Sequence, residues 1–411
     1  MSEQYLTKRQ AWERIFIAII LTASILTPII KHVTLIYAQN QGAITSPIFE
    51  PGTQIETASY IIFREGDTYY AKNGSTGEIE FSSTNASYVI QSAIDALSNG
   101  GKIFLKAGVY DITSAITITD KYGFIIEGEG EVGYPHGQKD LTVLNKKFDG
   151  TLLTINYSTD GAKNCFKLKN LALYSDFDTY AGKGLVINRA QWFVLDHVTI
   201  NRFEDNCLEI TNAGPHRLLH VVVSESKNGH GIYYKDNGWD WQWYDVESDE
   251  TVQPAGKSAV YIENSKGQII GGHFEGWRCL TLADGAGYTE LRIVDAWFTW
   301  AKERLIYVDS NSRIILSNCR FSTSNANDEY SGENSSQLYL ASGKNLITNC
   351  WFEEVGTADY SIYADAGYNQ IINCYIGKPV RLYGNDFFLS LIHISEPTRP
   401  RLISYAVFCL K

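Results

Sequence analysis

The stretch LITNCWFEE (346–354) has two near-copies, IILSNCRF (314–321) before it and QIINCYI (370–376) after it. Working outward, the chain resolves into a ladder of short apolar strings. KNLALYS centres on Leu171, DHVTINR on Val198, LHVVVSE on Val221, YDVESDE on Val246, IGGHFEG on Gly272 and VDAWFTW on Ala296. The three cysteine strings follow, on Cys319, Cys350 and Cys374, and the steps along the ladder are 27, 23, 25, 26, 24, 23, 31 and 24 residues. A second series runs beside it: GLVI, CLEI, GIYY, AVYI, CLTL, LIYV, QLYL and SIYA. Self-similarity at this period marks a stacked array in which no unit buries its apolar face alone.

The strings alternate with period two and are separated by Asn, Asp, Gly and Ser, so they read as strands. The Leu-x-x-Leu-x-Leu signature of leucine-rich repeats is missing, and the spacing suits a parallel β-helix with two or three short strands per coil. Each anchor and the residue two further on should point inward. Those pairs read Val198/Ile200, Val221/Val223, Cys319/Phe321, Cys350/Phe352 and Cys374/Ile376. The cysteines are therefore expected as small buried hydrophobes rather than disulfides or metal ligands. Before the anchors stand Asn170, His197, His220, Asp245, Asp295, Asn318, Asn349 and Asn373. Such a polar column at a bend can bond along the stack and satisfy turn backbone groups.

The next residues along should point out. One outward column reads Thr199, Val222, Glu247, His273, Trp297, Arg320, Trp351 and Tyr375, and the other Asn201, Ser224, Asp249, Glu275, Thr299, Ser322, Glu353 and Gly377. The middle coils thus offer Glu247, Asp249, His273, Glu275, Trp297 and Arg320 as one patch, approached by the aromatic segment GWDWQWYD (238–245). Trp239, Trp241, Trp297 and Trp351 are the candidate sugar platforms, since flat apolar ring faces suit sugar rings. Glu247, Asp249 and Glu275 are candidate acid, base or cation-holding groups. Asp249 and Glu275, about 4.8 Å apart by strand spacing, are the candidate metal ligands, with Ca2+ as the expected ion. Glu247 and Asp249, about 6.6 Å apart along one strand, fall in the roughly 6.5–9.5 Å range of an inverting glycosidase. Histidine, whose charge changes near neutral pH, stands at His273, and Arg320 is the candidate partner of a uronate carboxylate or a developing enolate. An acidic coil also places carboxylates outside simply to meet water, so a purely solvated face is the competing interpretation.

The segment YVIQSAIDALSNGGKIFLKAGVYDITSAITITDKYGFIIEGEG (88–130) resembles the opening of the pectate-lyase superfamily of right-handed β-helices. A short helix, with Ile90, Ile94 and Leu97 as its apolar stripe and Asn99-Gly100 as its stop, precedes a Gly-Gly turn, a strand ending in Gly-x-Tyr and a Gly-x-Gly bend. The resemblance spans roughly 84–388 and implies an all-β solenoid whose N-terminal helix plugs the open end of the coil. It implies less about activity, because such coils serve lyases, hydrolases, epimerases and adhesins. A pectate-lyase-like enzyme for an acidic glycan is the leading expectation; a glycoside hydrolase or a non-catalytic glycan-binding surface protein are the alternatives. Gly229-His230-Gly231 matches a polygalacturonase string, but that family's Asn-Thr-Asp, Asp-Asp and Arg-Ile-Lys companions are absent, and His230 reads as a turn residue.

Residues 39–83 read as a strand-and-turn lead-in. Before them, Lys8, Arg9 and Arg14 precede the 16-residue apolar run IFIAIILTASILTPII (15–30), and Ala38 ends a possible cleavage site. That length suits a signal-peptide core better than a membrane span of roughly 20 residues. Residues 1–38 are thus expected to direct export, as a cleaved signal or a membrane anchor, to the exterior or the cell surface. At the other end, LSLIHISEPTRPRLISYAVFCLK (389–411) resembles the in-frame translation of a sequencing-library adapter and has no kinship with the repeats. The whole chain carries a formal charge of −11. Setting aside +2 on the tail (Arg399, Arg401 and Lys411 against Glu396) and +2 on residues 1–38 leaves −15 for 39–388. Such a balance argues against a nucleic-acid partner, whose binding rests on cationic contacts.

Overall fold

The computed structural model describes residues 57–394 apart from 131–141, 162, 251, 284, 286, 326–328, 342 and 384–385. The leader expected over 1–38, the start of the lead-in and the tail beyond 394 lie outside the described residues. Among the described residues, no helix is long and apolar enough to cross a membrane.

Strands Tyr60–Glu65, Thr68–Asn73 and Ile79–Ser83 pair antiparallel in sequence, and the first also pairs parallel with Lys102–Leu105. The helix Ala86–Ala96 follows. Asn85 begins it by accepting the Tyr88 amide at 3.3 Å, and Val89, Ile90, Ala93 and Ile94 bury its inner stripe in the core.

From there the chain repeats one coil. Trp241–Tyr244 forms a first arm, Asp245 makes a bend, and Glu247–Asp249 forms a second arm; a loop then leads to Val260–Glu263 on another sheet. The next coil restarts at Lys266–Ile270, in parallel register one layer on. Both arms belong to one large sheet because Phe166–Tyr174, Phe193–Asn201 and Tyr368–Ile376 run through the bend without a break. The other face of the coil is an 11-stranded parallel sheet.

The bend has a simple chemical rule. Asn170, His197, His220, Asp245, Asp295, Asn318, Asn349 and Asn373 all take positive φ, between 48° and 59°, and Gly271 fills the same position at 71°. Asn, Asp, His and Gly tolerate that left-handed conformation better than other residues. The column also bonds along the stack: Asn373 Nδ2 donates to Asn349 Oδ1 at 2.5 Å, and the His197 and His220 rings lie 4.7 Å apart.

Behind the bend, the cysteine strings turn inward as expected. Cys319, Cys350 and Cys374 are buried and carry free thiols. Each thiol donates to the carbonyl two residues earlier, across the bend, at 3.4, 3.3 and 3.3 Å. Two positions further on, Phe274, Phe298, Phe321 and Phe352 stack ring on ring, with centroids 5.3, 5.3 and 4.3 Å apart. A small residue followed by a ring therefore fills each of these four layers.

Candidate functional site

The second arm carries the expected outward column in unbroken register. Glu247, His273, Trp297, Arg320, Trp351 and Tyr375 are successive Cα partners, and Asp249 pairs with Glu275. Side chains join them into one surface. The His273 ring stacks on Trp297 at 4.7 Å, and His273 Nε2 lies 3.1 Å from Glu275 Oε1. The Arg320 guanidinium covers Trp297 at 5.1 Å and donates from Nε to Glu353 Oε1 at 2.6 Å. Trp351 stacks on Tyr375 at 4.4 Å, one layer beyond. Trp297 is 39% exposed and Trp351 52%. Histidine, a ring, a cation and carboxylates at both ends thus lie along one exposed strip. Glu247 is exposed and Asp249 half-buried beside it.

The second outward column is less open than alternation suggests. Thr299 and Ser322 are buried because Trp297 lies across them, its Nε1 donating to Ser322 Oγ at 3.2 Å. Ser322 Oγ in turn bonds Thr299 Oγ1 at 2.5 Å. Asn201 and Ser224 are buried as well. The usable surface is therefore the His273–Trp297–Arg320 ridge with Glu275 and Glu353 at its sides.

Two tryptophans do not join it. Trp241, expected to bind sugar, is fully buried: Trp241–Tyr244 is a strand of the first arm, and period two turns Trp241 and Trp243 into the core. Trp241 Nε1 donates to Ser265 Oγ at 2.9 Å, and its ring packs 4.8 Å from Trp243. Trp239 is 68% exposed but stands at the start of the first arm, across the bend from the His273 ridge.

Gly229-His230-Gly231 has a packing explanation. A Cβ at Gly229 would strike the Asp205–Asn206 backbone, and one at Gly231 would strike Glu250 and the Ala259 carbonyl. His230 is buried against Tyr261, its ring 4.7 Å away, and its Nδ1 accepts the Ser258 amide at 3.1 Å. Burial pushes its pKa down to about 3, which keeps the ring neutral.

The 11-stranded sheet carries a feature the sequence reading passed over. Tyr307, Tyr339 and Tyr363 stack at 5.2 and 5.9 Å, and Tyr233 stacks on Tyr261 at 5.4 Å. Arg304 covers Tyr307 and Tyr339 at 5.2 and 4.5 Å, and Arg278 grips Glu303 with two bonds of 2.9 Å. The signal lay in the second series of strings, whose third letter reads Val, Glu, Tyr, Tyr, Thr, Tyr, Tyr, Tyr. Tyr339, Tyr363, Glu303 and Arg304 are buried, so this row holds the loops onto the sheet more than it offers a surface.

No group of three or more His, Cys, Asp or Glu among the described residues converges to hold a metal. Calcium takes six to eight oxygens. Asp249 and Glu275 supply two carboxylates, and Glu275 already faces His273. These residues do not by themselves complete a calcium site.

No protein-family model matches the chain, and no curated protein matches it. Solved structures do. The A-module of the mannuronan C-5 epimerase AlgE4 of Azotobacter vinelandii superposes with a TM-score of 0.51 at 13% identity, covering 76% of this chain and 95% of that one. The fold is a right-handed parallel β-helix. DFA-IIIase from Arthrobacter chlorophenolicus A6, solved in complex with GF2, gives a TM-score of 0.52 at 14% identity, covering 74% of this chain and 81% of that one. The Dettilon tailspike gives 0.51 at 12% identity, covering 71% of this chain; the chain spans only 59% of the tailspike. At such identities the likeness is one of fold.

Proposed function

We propose that this β-helix acts on an acidic polysaccharide at the His273–Trp297–Arg320 ridge. The observation that carries the proposal is the stacking of His273 and Arg320 on the exposed Trp297 ring, with Glu275 3.1 Å from His273. Trp351 offers a sugar the ring face turned away from Tyr375, Trp297, covered on its faces by His273 and Arg320, offers its exposed edge, and Arg320 offers a charge to a uronate carboxylate. The carbohydrate chemistry named for the epimerase module among the similar structures is in keeping with that substrate class.

The reaction we favour is β-elimination. His273, oriented by Glu275, takes the proton from the carbon that bears the uronate carboxylate. The released electron pair forms a carbon–carbon double bond as the adjacent glycosidic C–O bond breaks, and the leaving oxygen takes a proton from water. Arg320 balances the charge that builds on the carboxylate. No step is routed through calcium. Hydrolysis through Glu247 and Asp249 is the alternative chemistry, and binding without turnover the alternative role. Export by residues 1–38, and closure of the coil by the helix Ala86–Ala96, belong to the same proposal.

His273→Ala and Glu275→Gln test the assignment on purified protein with polygalacturonate. Each should lower turnover by about 100-fold or more, within the usual contribution of a general base, while leaving the melting temperature within a few degrees. Unchanged turnover in both variants would remove the ridge from the chemistry.

A further inference from the structure

Across the bend, the starts of the first-arm strands bear a second surface that the proposed reaction does not use. Gln242, Gln268 and Arg292 are in register, as are Lys266, Glu290 and Arg313 two residues earlier along their strands. Further along, Ile315 pairs with Leu346 and Leu346 with Gln370, which brings Lys344 and Tyr368 into the same line. Exposed rings and cations alternate along this edge. Lys266 Nζ lies 5.3 Å from the centre of the Trp239 ring and 5.0 Å from that of Tyr288, and Lys344 Nζ lies 5.9 Å from that of Tyr368.

Two hollows mark the line. One, of about 340 Å³, is lined by Trp239, Lys266, Gln268 and Arg292 among others; the second, of about 430 Å³, includes Arg313, Lys344, Tyr368 and Gln370. Lys266 and Arg292 form no ion pair among the described residues. Glu290 is engaged within the strip, 3.5 Å from Arg313 and accepting the Tyr288 hydroxyl at 3.1 Å. The remaining carboxylate, Asp240, stands at the rim of the first hollow.

Four cations gathered on one edge are unexpected in a chain of net charge −11. Arg313 is paired with Glu290, whereas Lys266 and Lys344 sit over exposed aromatic rings and Arg292 lines the Trp239 hollow. Such an arrangement suits an extended chain of charged rings, with stacking on Trp239, Tyr288 and Tyr368 and charge contacts from Lys266, Arg292 and Lys344. At 4.7–4.9 Å per step, the five steps from the Trp239 coil to the Tyr368 coil extend about 24 Å. That is a track for a polymer rather than a pocket for one sugar.

We infer that the first-arm edge from Trp239 to Tyr368 is a second, non-catalytic binding track for an anionic polysaccharide. It would tether the polymer while the His273 ridge on the other arm works on it, so it extends the proposed function but does not depend on turnover. Charge contacts of this exposed kind are screened by salt.

The test measures binding of purified protein to polygalacturonate, with neutral dextran for comparison, at low and high salt. Lys266→Ala/Arg292→Ala should weaken polygalacturonate binding at low salt by about tenfold, more than two isolated surface charges lose. The charge-matched control Lys147→Ala/Lys257→Ala, at positions that follow the second-arm strands Thr142–Lys146 and Glu247–Asp249 on the other side of the bend, should change it by no more than about twofold. High salt should erase the difference between the wild type and the first double variant. Equal losses in both double variants, or no loss in either, would overturn the track, as would dextran bound as tightly as polygalacturonate. Absence of product fragments from the wild type would count against the proposed reaction and leave this binding result standing.

Discussion

At the residue scale, the buried ionisable groups show how far a repeat can bend local rules. Glu250 is buried just past the second arm, accepting the Ser226 amide at 2.5 Å, and burial raises its pKa well above the carboxylate range. The unfolded chain ionises this carboxyl above its ordinary pKa while the folded chain holds the proton, so its effect on stability worsens as pH rises through that range. His216 and His230 act in the opposite sense. Burial pushes them down to about 4 and about 3. Their neutral forms favour the fold fully above about pH 6.5, and that stability is lost as pH falls toward the folded values. Glu250→Gln should therefore raise the melting temperature at pH 8 and leave it nearly unchanged near pH 4. Thermal melts of both proteins across that range check this, and an equal gap at both pH values would contradict it. None of these three environments is legible from the sequence. Glu250 lies two residues beyond Ser248, on the same inward alternation, but a carboxylate at that place reads as solvated.

At the element scale, the cysteine strings, the positive-φ column and the outward register from Glu247 to Tyr375 could all be read in advance, because each follows from alternation on a fixed repeat. Gly271 could have been added to the bend column, since glycine suits the same backbone conformation as asparagine there. The aromatic segment 238–245 went the other way. Its rings suggest a sugar platform beside the patch, yet Trp241 and Trp243 hold the inward positions of a strand. Burial of a ring depends on the neighbouring coils, which local sequence does not display. The two tryptophans now separate cleanly by experiment. Trp241→Ala should cost about 3–5 kcal/mol of stability through a cavity in the core. Trp239→Ala should leave stability within about 0.5 kcal/mol, as surface changes usually do, and weaken polymer binding instead. Denaturant unfolding of both variants measures the contrast; similar losses in the two would contradict their placement.

At the scale of the whole molecule, the coil carries a different set of side chains on each face. The 11-stranded sheet locks loops down with stacked tyrosines and the Arg278–Glu303–Arg304 contacts. The second arm presents the His273–Trp297–Arg320 ridge, and the first-arm edge presents the ring-and-cation track. The architecture was legible because repetition amplifies a weak local signal across many layers. The candidate site was legible only in its register: positions can be counted, but which side chains meet across coils, as Arg320 meets Glu353, depends on rotamers that counting does not give. The central claim is that the ridge cleaves an acidic glycan by elimination. Mass spectrometry of the products from polygalacturonate, with the His273→Ala protein alongside, tests it most directly. Wild-type fragments should carry a double bond and lack one water at the non-reducing end, and none above background should come from the variant. Fully hydrated fragments, or no fragments at all from any acidic polysaccharide with folded wild-type protein, would contradict it.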